Sequence, residues 1–422
     1  MVQDETLLVV GAGHAGAELA IAARQAGWAG PIVLMGEEPE LPYHRPPLSK
    51  AYLHGEAARE ALQLRGAAAY AAAGIELDAA ARVVGIDREV REVRLADGRT
   101  RRYARLALCT GGRPRPLVTE GLAAGDAPSN LHYLRTLADA DAIRSGLREG
   151  TRLVVVGGGY VGLELAASAT KFGARVSVLE AQPRVLSRVT GAEVSAFYEE
   201  VHRAAGVELL TDFSVARVER VQQPDAAHAA IVALVGQDGR RVDADLVVAG
   251  IGMLPNVELA VAAGLDVDGG VVVDAGAVTS DPCIVAAGDC TVQHSLLYDR
   301  RLRLESVPNA LEQARAAAAT LCGKALPARA APWFWSDQYD LKLQMVGLSQ
   351  GHDTCVLRGD VASRKFAAFY LREGIVIAAD AINRPADFML AKRLVGAAAR
   401  VDVIALGDES ASLKDLVAAA VG

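Results

Sequence analysis

Two glycine clusters carry the most legible chemistry in this sequence. Leu7–Ala20 reads LLVVGAGHAGAELA, and the pattern returns at Leu153–Ala166 as LVVVGGGYVGLELA. Each copy is an apolar run, then G-x-G-x-x-G, then small and apolar residues at helical spacing. The glycines are Gly11, Gly13 and Gly16 in the first copy and Gly157, Gly159 and Gly162 in the second. The first glycine suits a tight turn, the second a close approach of backbone to a pyrophosphate, and the third close packing of helix on strand. The phosphates would sit at a helix N-terminus, where free N–H groups and the helix dipole favour anions. A single motif of this kind means little. Two of them, each in strand–turn–helix context, predict two dinucleotide sites.

An acidic residue follows the second strand of each copy. PIVLM at Pro31–Met35 precedes Gly36 and Glu37, and ARVSVL at Ala174–Leu179 precedes Glu180. Glu180 lies 23 residues after Gly157, the spacing of a carboxylate that accepts from a ribose 2′-hydroxyl, and Glu37 comes slightly later, 26 residues after Gly11. Alone, either could be a solvated turn acid. Two sites in one chain imply two dinucleotides. FAD with NAD(P)H is the economical choice, because one can reduce the other.

The elements that must hold these groups are those of a multidomain chain. At 422 residues two or three domains are expected. Half of the residues are apolar, enough for buried cores. The net charge of -7 and the lack of a long basic run argue against nucleic acid as partner, though not against a small basic patch. No uninterrupted apolar stretch reaches about 18 residues, which argues against a membrane helix. Met1–Thr6 is polar and does not resemble a signal peptide.

The five cysteines, Cys109, Cys283, Cys290, Cys322 and Cys355, form no C-x-x-C pair. They read as reduced thiols of a cytoplasmic protein. No zinc spacing, iron–sulfur set or other metal site is evident. No cysteine pair follows either glycine motif, so a disulfide that takes electrons from flavin is not expected. The chain then lacks its own downstream acceptor.

LPYHRPPLSKAYL at Leu41–Leu53, ESVPNALEQAR at Glu305–Arg315 and PWFWSDQ at Pro332–Gln338 are long and unusual. With the first glycine motif they resemble the putidaredoxin reductase family, whose relatives include reductases of Rieske dioxygenases, rubredoxin reductases and apoptosis-inducing factor. The resemblance implies an α/β fold: two Rossmann-like dinucleotide-binding domains, in the arrangement of glutathione reductase-like flavoproteins, plus a C-terminal α+β domain. It divides the chain into an FAD domain (1–113 and 245–323), an inserted NAD domain (114–244) and a C-terminal domain (324–422). Glycine- and proline-rich turns at Gly111–Pro116 and Ala249–Asn256 mark both crossings. Downstream, Leu341–Leu348 alternates like a strand, Lys365–Leu371 and Ile375–Ala381 flank an Arg-Glu-Gly turn that predicts a hairpin, and Asp387–Ala399 has helical periodicity.

Carried over by position, the resemblance assigns roles. Lys50 and Glu164 are the implied catalytic residues. Lys50 would approach N5 of the isoalloxazine and stabilise negative charge as the flavin takes hydride. Glu164 would pair with it across the two domains and orient the nicotinamide amide. Arg45 is directed towards the FAD phosphates and Asp289, in TSDPCIVAAGD, towards a ribityl hydroxyl. Val307 opens a helix aimed at the flavin's pyrimidine end, which becomes anionic on reduction. Tyr160 would line the nicotinamide pocket and Trp335 would lie near flavin or nucleotide. His14, Ala15, Val83, Thr110, Gly111, Arg135, Val161 and Gly252 complete the implied cofactor contacts. Cys109, where alanine is usual in the family, reads as packing.

The implied reaction is NADH-dependent reduction of FAD, with electrons passed singly to a [2Fe–2S] ferredoxin that serves a cytochrome P450. The same half-reaction fits a Rieske dioxygenase reductase component or a rubredoxin reductase. An FAD- and NAD-binding signalling protein like apoptosis-inducing factor would favour basic surfaces and a targeting segment. An NADH oxidase or peroxidase would want a reactive cysteine before Cys109.

Overall fold

The computed structural model describes residues 5–222 and 228–421. Their contacts divide the chain into two compact units, one of residues 1–44, 59–113 and 254–332, the other of 45–58, 114–253 and 333–422.

The first unit is built on a five-stranded parallel sheet in the order Ile284–Ala286, Arg105–Leu108, Leu7–Val10, Ile32–Met35, Ile75–Asp78. LLVV and IVLM are buried along their whole length, as strands covered on both faces must be. The chain turns at Gly11, with φ +107°, into the helix His14–Ala26. That helix stops at Gly27, where φ is +104° and the N–H groups of Gly27 and Trp28 close back on Arg24 and Ala23. Its alanine face packs in one core with Ala310, Ala314, Ala317 and Ala318 of the helix Val307–Leu321, small side chains that let the two helices approach. A second core on the opposite sheet face gathers Val10, Leu106, Val93 and Val271.

The second unit repeats the plan. Its parallel sheet runs Glu208–Leu210, Arg175–Leu179, Arg152–Val156, Leu246–Ala249, Leu131–His132. A separate antiparallel sheet of five strands follows in the order Trp333–Gln338, Leu341–Gly347, Ile375–Ile382, Lys365–Arg372, Thr354–Asp360. The helices Pro385–Gly396 and Leu413–Val421 come after it. The architecture is therefore two Rossmann-type α/β folds and a C-terminal α+β module.

The compact units differ from the three-domain division read from sequence. The C-terminal sheet does not stand apart. Phe366 and Tyr370 share one core with Val194, Phe197 and Tyr198 of the helix Ala192–Ala204, and the Phe197 and Phe366 rings lie 5.0 Å apart. Residues 324–332 group with the first unit, and the second crossing falls at 253/254. Residues 45–58, expected with the FAD domain, group with the second unit. Leu53 is buried in its core, the Tyr52 hydroxyl donates to Asp141 at 2.7 Å, and Ser168 Oγ donates to the Ser49 carbonyl at 2.5 Å.

Among the described residues no helix is long and apolar enough to cross a membrane.

Candidate functional site

In the first unit, the expected residues leave the carboxyl ends of neighbouring parallel strands. Val10 pairs with Met35 and with Leu108, and Leu108 pairs with Ala286. Gly11, Glu37, Thr110 and Asp289 follow those four strands within three residues. Ligands of open α/β sheets bind at this edge, where strand order reverses about the first strand.

Two of the three glycines there, Gly11 and Gly16, are sterically obligatory. A Cβ on Gly11 would meet the Cys109 carbonyl oxygen at 2.1 Å, and one on Gly16 the Gly11 carbonyl oxygen at 1.9 Å. A Cβ on Gly13, by contrast, would meet nothing within 4 Å. Gly13 also caps the helix without a side-chain hydrogen bond. Open space in front of a helix N-terminus with no side-chain cap fits a pyrophosphate. His14 and Ala15 begin that helix and are buried.

Thr110 donates through Oγ1 to the Asn256 carbonyl at 2.7 Å, and Asn256 N–H donates to Gly111 at 2.9 Å, so the strand-end turn is braced. Asp289 is half-buried and follows Gly288, whose N–H donates to Gln313 Oε1 at 2.9 Å. Val307 is the first residue of its helix, capped by Ser306. Val83 is a buried strand residue of the second core. Glu37 is exposed, 3.5 Å from Arg82. Burial pushes the Cys109 and Cys290 thiols up, which suits packing and not nucleophilic attack.

The second unit has the same cradle. A Cβ on Gly157 would meet the Gly250 carbonyl oxygen at 2.5 Å and one on Gly162 that of Gly157 at 2.1 Å, while Gly159 faces open space. Gly159 caps the helix Tyr160–Thr170 with no side-chain bond. Glu180 leaves the adjacent strand end. Its Oε2 accepts the Gly158 N–H at 2.7 Å and its Oε1 the Gln182 N–H at 2.8 Å. Gly252, at φ +108°, follows the strand Leu246–Ala249. Val161 is 46% exposed. Arg184 is not free to meet a phosphate: its guanidinium donates to the carbonyls of Thr190, Gly191 and Ser187 and to Ser195 Oγ.

Lys50 and Glu164 lie together in this unit, with Nζ 2.6 Å from Oε2. They were expected to bridge two domains; both belong to one compact unit because the Arg45–Ala58 segment is clasped by the Tyr160–Thr170 helix. Glu164 is 5% exposed, and its carboxylate also accepts from Ser49 Oγ at 2.6 Å and Ser336 Oγ at 2.7 Å. A buried carboxylate needs such partners to remain charged. Arg45 donates to the Arg135 carbonyl at 2.6 Å. The Tyr160 and Trp335 rings both neighbour Phe334, at 5.0 and 5.9 Å.

Sequence reasoning missed Ser49 and Ser336. Both lie inside the segments singled out above, but only the lysine of LSK and the tryptophan of WSDQ drew attention. Hydroxyls carry no periodic or charge signature.

The pyridine nucleotide-disulphide oxidoreductase family matches residues 5–314 and the reductase C-terminal family residues 333–417. The chain is 50% identical to putidaredoxin reductase CamA of Pseudomonas putida over 420 residues, 100% of this chain and 98% of that protein. It is 43% identical to the ferredoxin–NAD(+) reductase component of the anthranilate 1,2-dioxygenase system of Burkholderia cepacia, covering 97% and 98%. Among solved structures, the covalent putidaredoxin reductase–putidaredoxin complex matches with a TM-score of 0.94 at 50% identity, covering 99% of both chains.

Proposed function

We infer, for a chain that belongs to the pyridine nucleotide-disulphide oxidoreductase family and carries a reductase C-terminal module, that it is an NADH-dependent, FAD-containing ferredoxin reductase. The observation that carries this reading is the pair of glycine cradles in one chain, each with open space before a helix N-terminus that has no side-chain cap. The first would hold FAD, with Gly11, Gly13, Gly16, Thr110, Asp289 and Val307. The second would hold NADH, with Gly157, Gly159, Gly162 and Glu180. Bound FAD supplies a two-electron hydride acceptor that can release electrons one at a time.

The chain's own residues do the positioning. The two helix N-termini offer N–H groups to phosphates. Glu180 keeps acceptor capacity for ribose hydroxyls beyond its two backbone donors. Glu164 holds the Lys50 ammonium in one place, and that cation favours negative charge developing close to it. Arg45, Tyr160 and Trp335 are assigned to the cofactor surroundings on the family resemblance alone.

The electron acceptor is a [2Fe–2S] ferredoxin, and the terminal oxygenase is a cytochrome P450, as the likeness to putidaredoxin reductase supports. The likeness to a dioxygenase reductase component supports a second reading with the same half-reaction and a different carrier. The protein acts in the cytoplasm, where its five free thiols stay reduced.

The test is NADH-driven reduction of a panel of purified carriers: P450-type ferredoxins, Rieske-type ferredoxins and rubredoxin. Fastest turnover with a P450-type ferredoxin is expected. Fastest turnover with a Rieske-type ferredoxin would move the assignment to a dioxygenase system, and no reduction of any carrier would end the reading.

A further inference from the structure

Glu164 is the end of a longer buried chain of polar groups. Ser336 Oγ, which meets Glu164 Oε1, accepts from Gln338 Nε2 at 3.2 Å. Gln338 Oε1 lies 2.9 Å from His202 Nε2, and His202 Nδ1 lies 3.1 Å from the Tyr339 hydroxyl. Ser336, Gln338 and His202 are at most 1% exposed. The residues come from three places in the sequence: the second glycine-motif helix, the helix Ala192–Ala204 and the first hairpin of the C-terminal sheet.

The donors all run one way. A carboxylate has no proton to give, so Ser336 must donate to it. Gln338 then donates its amide N–H to Ser336 and accepts from His202 Nε2–H. His202, a neutral imidazole with its proton on Nε2, accepts from Tyr339 on Nδ1. Burial lowers the His202 pKa, which agrees with the neutral ring. Aligned hydrogen bonds polarise one another, and their positive ends point at Glu164.

We propose that Ser336, Gln338, His202 and Tyr339 are positioning residues that keep Glu164 ionised and fixed, and through it hold Lys50 as a localised cation. The C-terminal module thereby takes part in the hydride step without touching it. This rests on the reductase reading only for the role of Lys50. Tyr160 on its own helix and Tyr198 on Ala192–Ala204 also feel the Glu164 carboxylate. Burial and nearby carboxylates raise both phenols, so they stay neutral. Asp337 and Asp380 act on Tyr198 from the C-terminal sheet.

The experiment uses the flavin-loaded protein and two variants, Ser336→Ala and Tyr339→Phe. Glutamate labelled with 13C at the carboxyl is titrated by NMR without nicotinamide, and the Glu164 signal is identified by its loss in Glu164→Gln. In Ser336→Ala the midpoint moves to higher pH than in the parent, because a carboxylate with fewer donors binds its proton more readily. Tyr339→Phe moves it the same way by less. Flavin reduction at saturating NADH falls about tenfold for Ser336→Ala on the acid side, with its acid limb displaced upward. An unmoved Glu164 midpoint in folded Ser336→Ala overturns the proposal. If that variant does not fold, an unmoved midpoint and an unchanged His202 15N spectrum in Tyr339→Phe overturn it. A displaced midpoint in a protein that reduces no carrier upholds the relay and removes only the ferredoxin reading.

Discussion

The Glu180 carboxylate clasps the glycine turn that precedes it, with Oε2 2.7 Å from the Gly158 N–H. The same side chain therefore shapes the Gly157–Gly162 turn and, on the function proposed above, would accept from an adenosine ribose. Arg184, four residues on, donates to four internal acceptors instead. A 2′-phosphate would meet the Glu180 carboxylate, and Arg184 is already engaged elsewhere. The kcat/KM for NADH should exceed that for NADPH by about tenfold or more, equal to ~1.4 kcal/mol. Glu180→Ala should shrink the ratio, mostly through KM. Steady-state kinetics with both nucleotides decides this; a preference of the parent enzyme for NADPH reverses the assignment of Glu180.

Lys50→Ala should slow flavin reduction more than it weakens NADH binding. Removing a donor aimed at developing charge costs about 2–4 kcal/mol in comparable sites. Stopped-flow reduction at saturating NADH reads the limiting rate directly. A limiting rate equal to that of the parent would leave Lys50 with a structural role alone.

Electron transfer to an acidic ferredoxin should fall as salt rises above about 0.15 M, since such encounters are electrostatically steered. Arg315 is a candidate for the docking face. It lies on the helix Val307–Leu321, its side chain is 55% exposed, and its Nε is 2.8 Å from Glu18. Glu18 is only 14% exposed and also pairs with Arg65, so the carboxylate keeps a partner when Arg315 turns outward. Arg315→Glu should raise the apparent KM for ferredoxin and leave NADH kinetics intact. Unchanged ferredoxin kinetics across a salt series would remove Arg315 from the docking face.

Asp380 should make stability fall with rising pH. Its buried carboxyl accepts from Tyr370 at 2.7 Å and from Thr190, yet burial raises its pKa from 3.8 to about 6. Between those values the folded protein binds more protons than the unfolded chain, so ionisation works against folding as pH rises. The destabilisation is absent below about pH 4 and complete above about pH 6. Asp380→Asn should thus gain in Tm relative to the parent between pH 4 and pH 7. A Tm difference that does not vary with pH would contradict this.

Much of the fold was legible because it rests on local rules. The hairpin at Arg372–Gly374 forms where expected, with Glu373 and Gly374 both at positive φ, as the tight turn demands. The helix expected at Asp387–Ala399 runs over Pro385–Gly396, since proline is well placed in a first turn and poorly placed later. The grouping of residues 45–58 was not legible. A proline-stiffened loop between two elements of the first unit gives no sign that its Ser49 carbonyl will accept from Ser168.

The sequence by itself determined the two strand–glycine turn–helix units, because turn, glycine contact and helix N-terminus are properties of about ten consecutive residues. It also singled out Lys50, Glu164 and Glu180, through their places in recognisable segments. Only the tertiary structure decided what those charges touch. Ser336 meets Glu164 across 172 positions of chain, and His202 meets Gln338 across 136. Hydrophobic periodicity says which face of an element is buried. It does not say which polar groups are buried together, and for a carboxylate in a low-dielectric interior that pairing determines its charge.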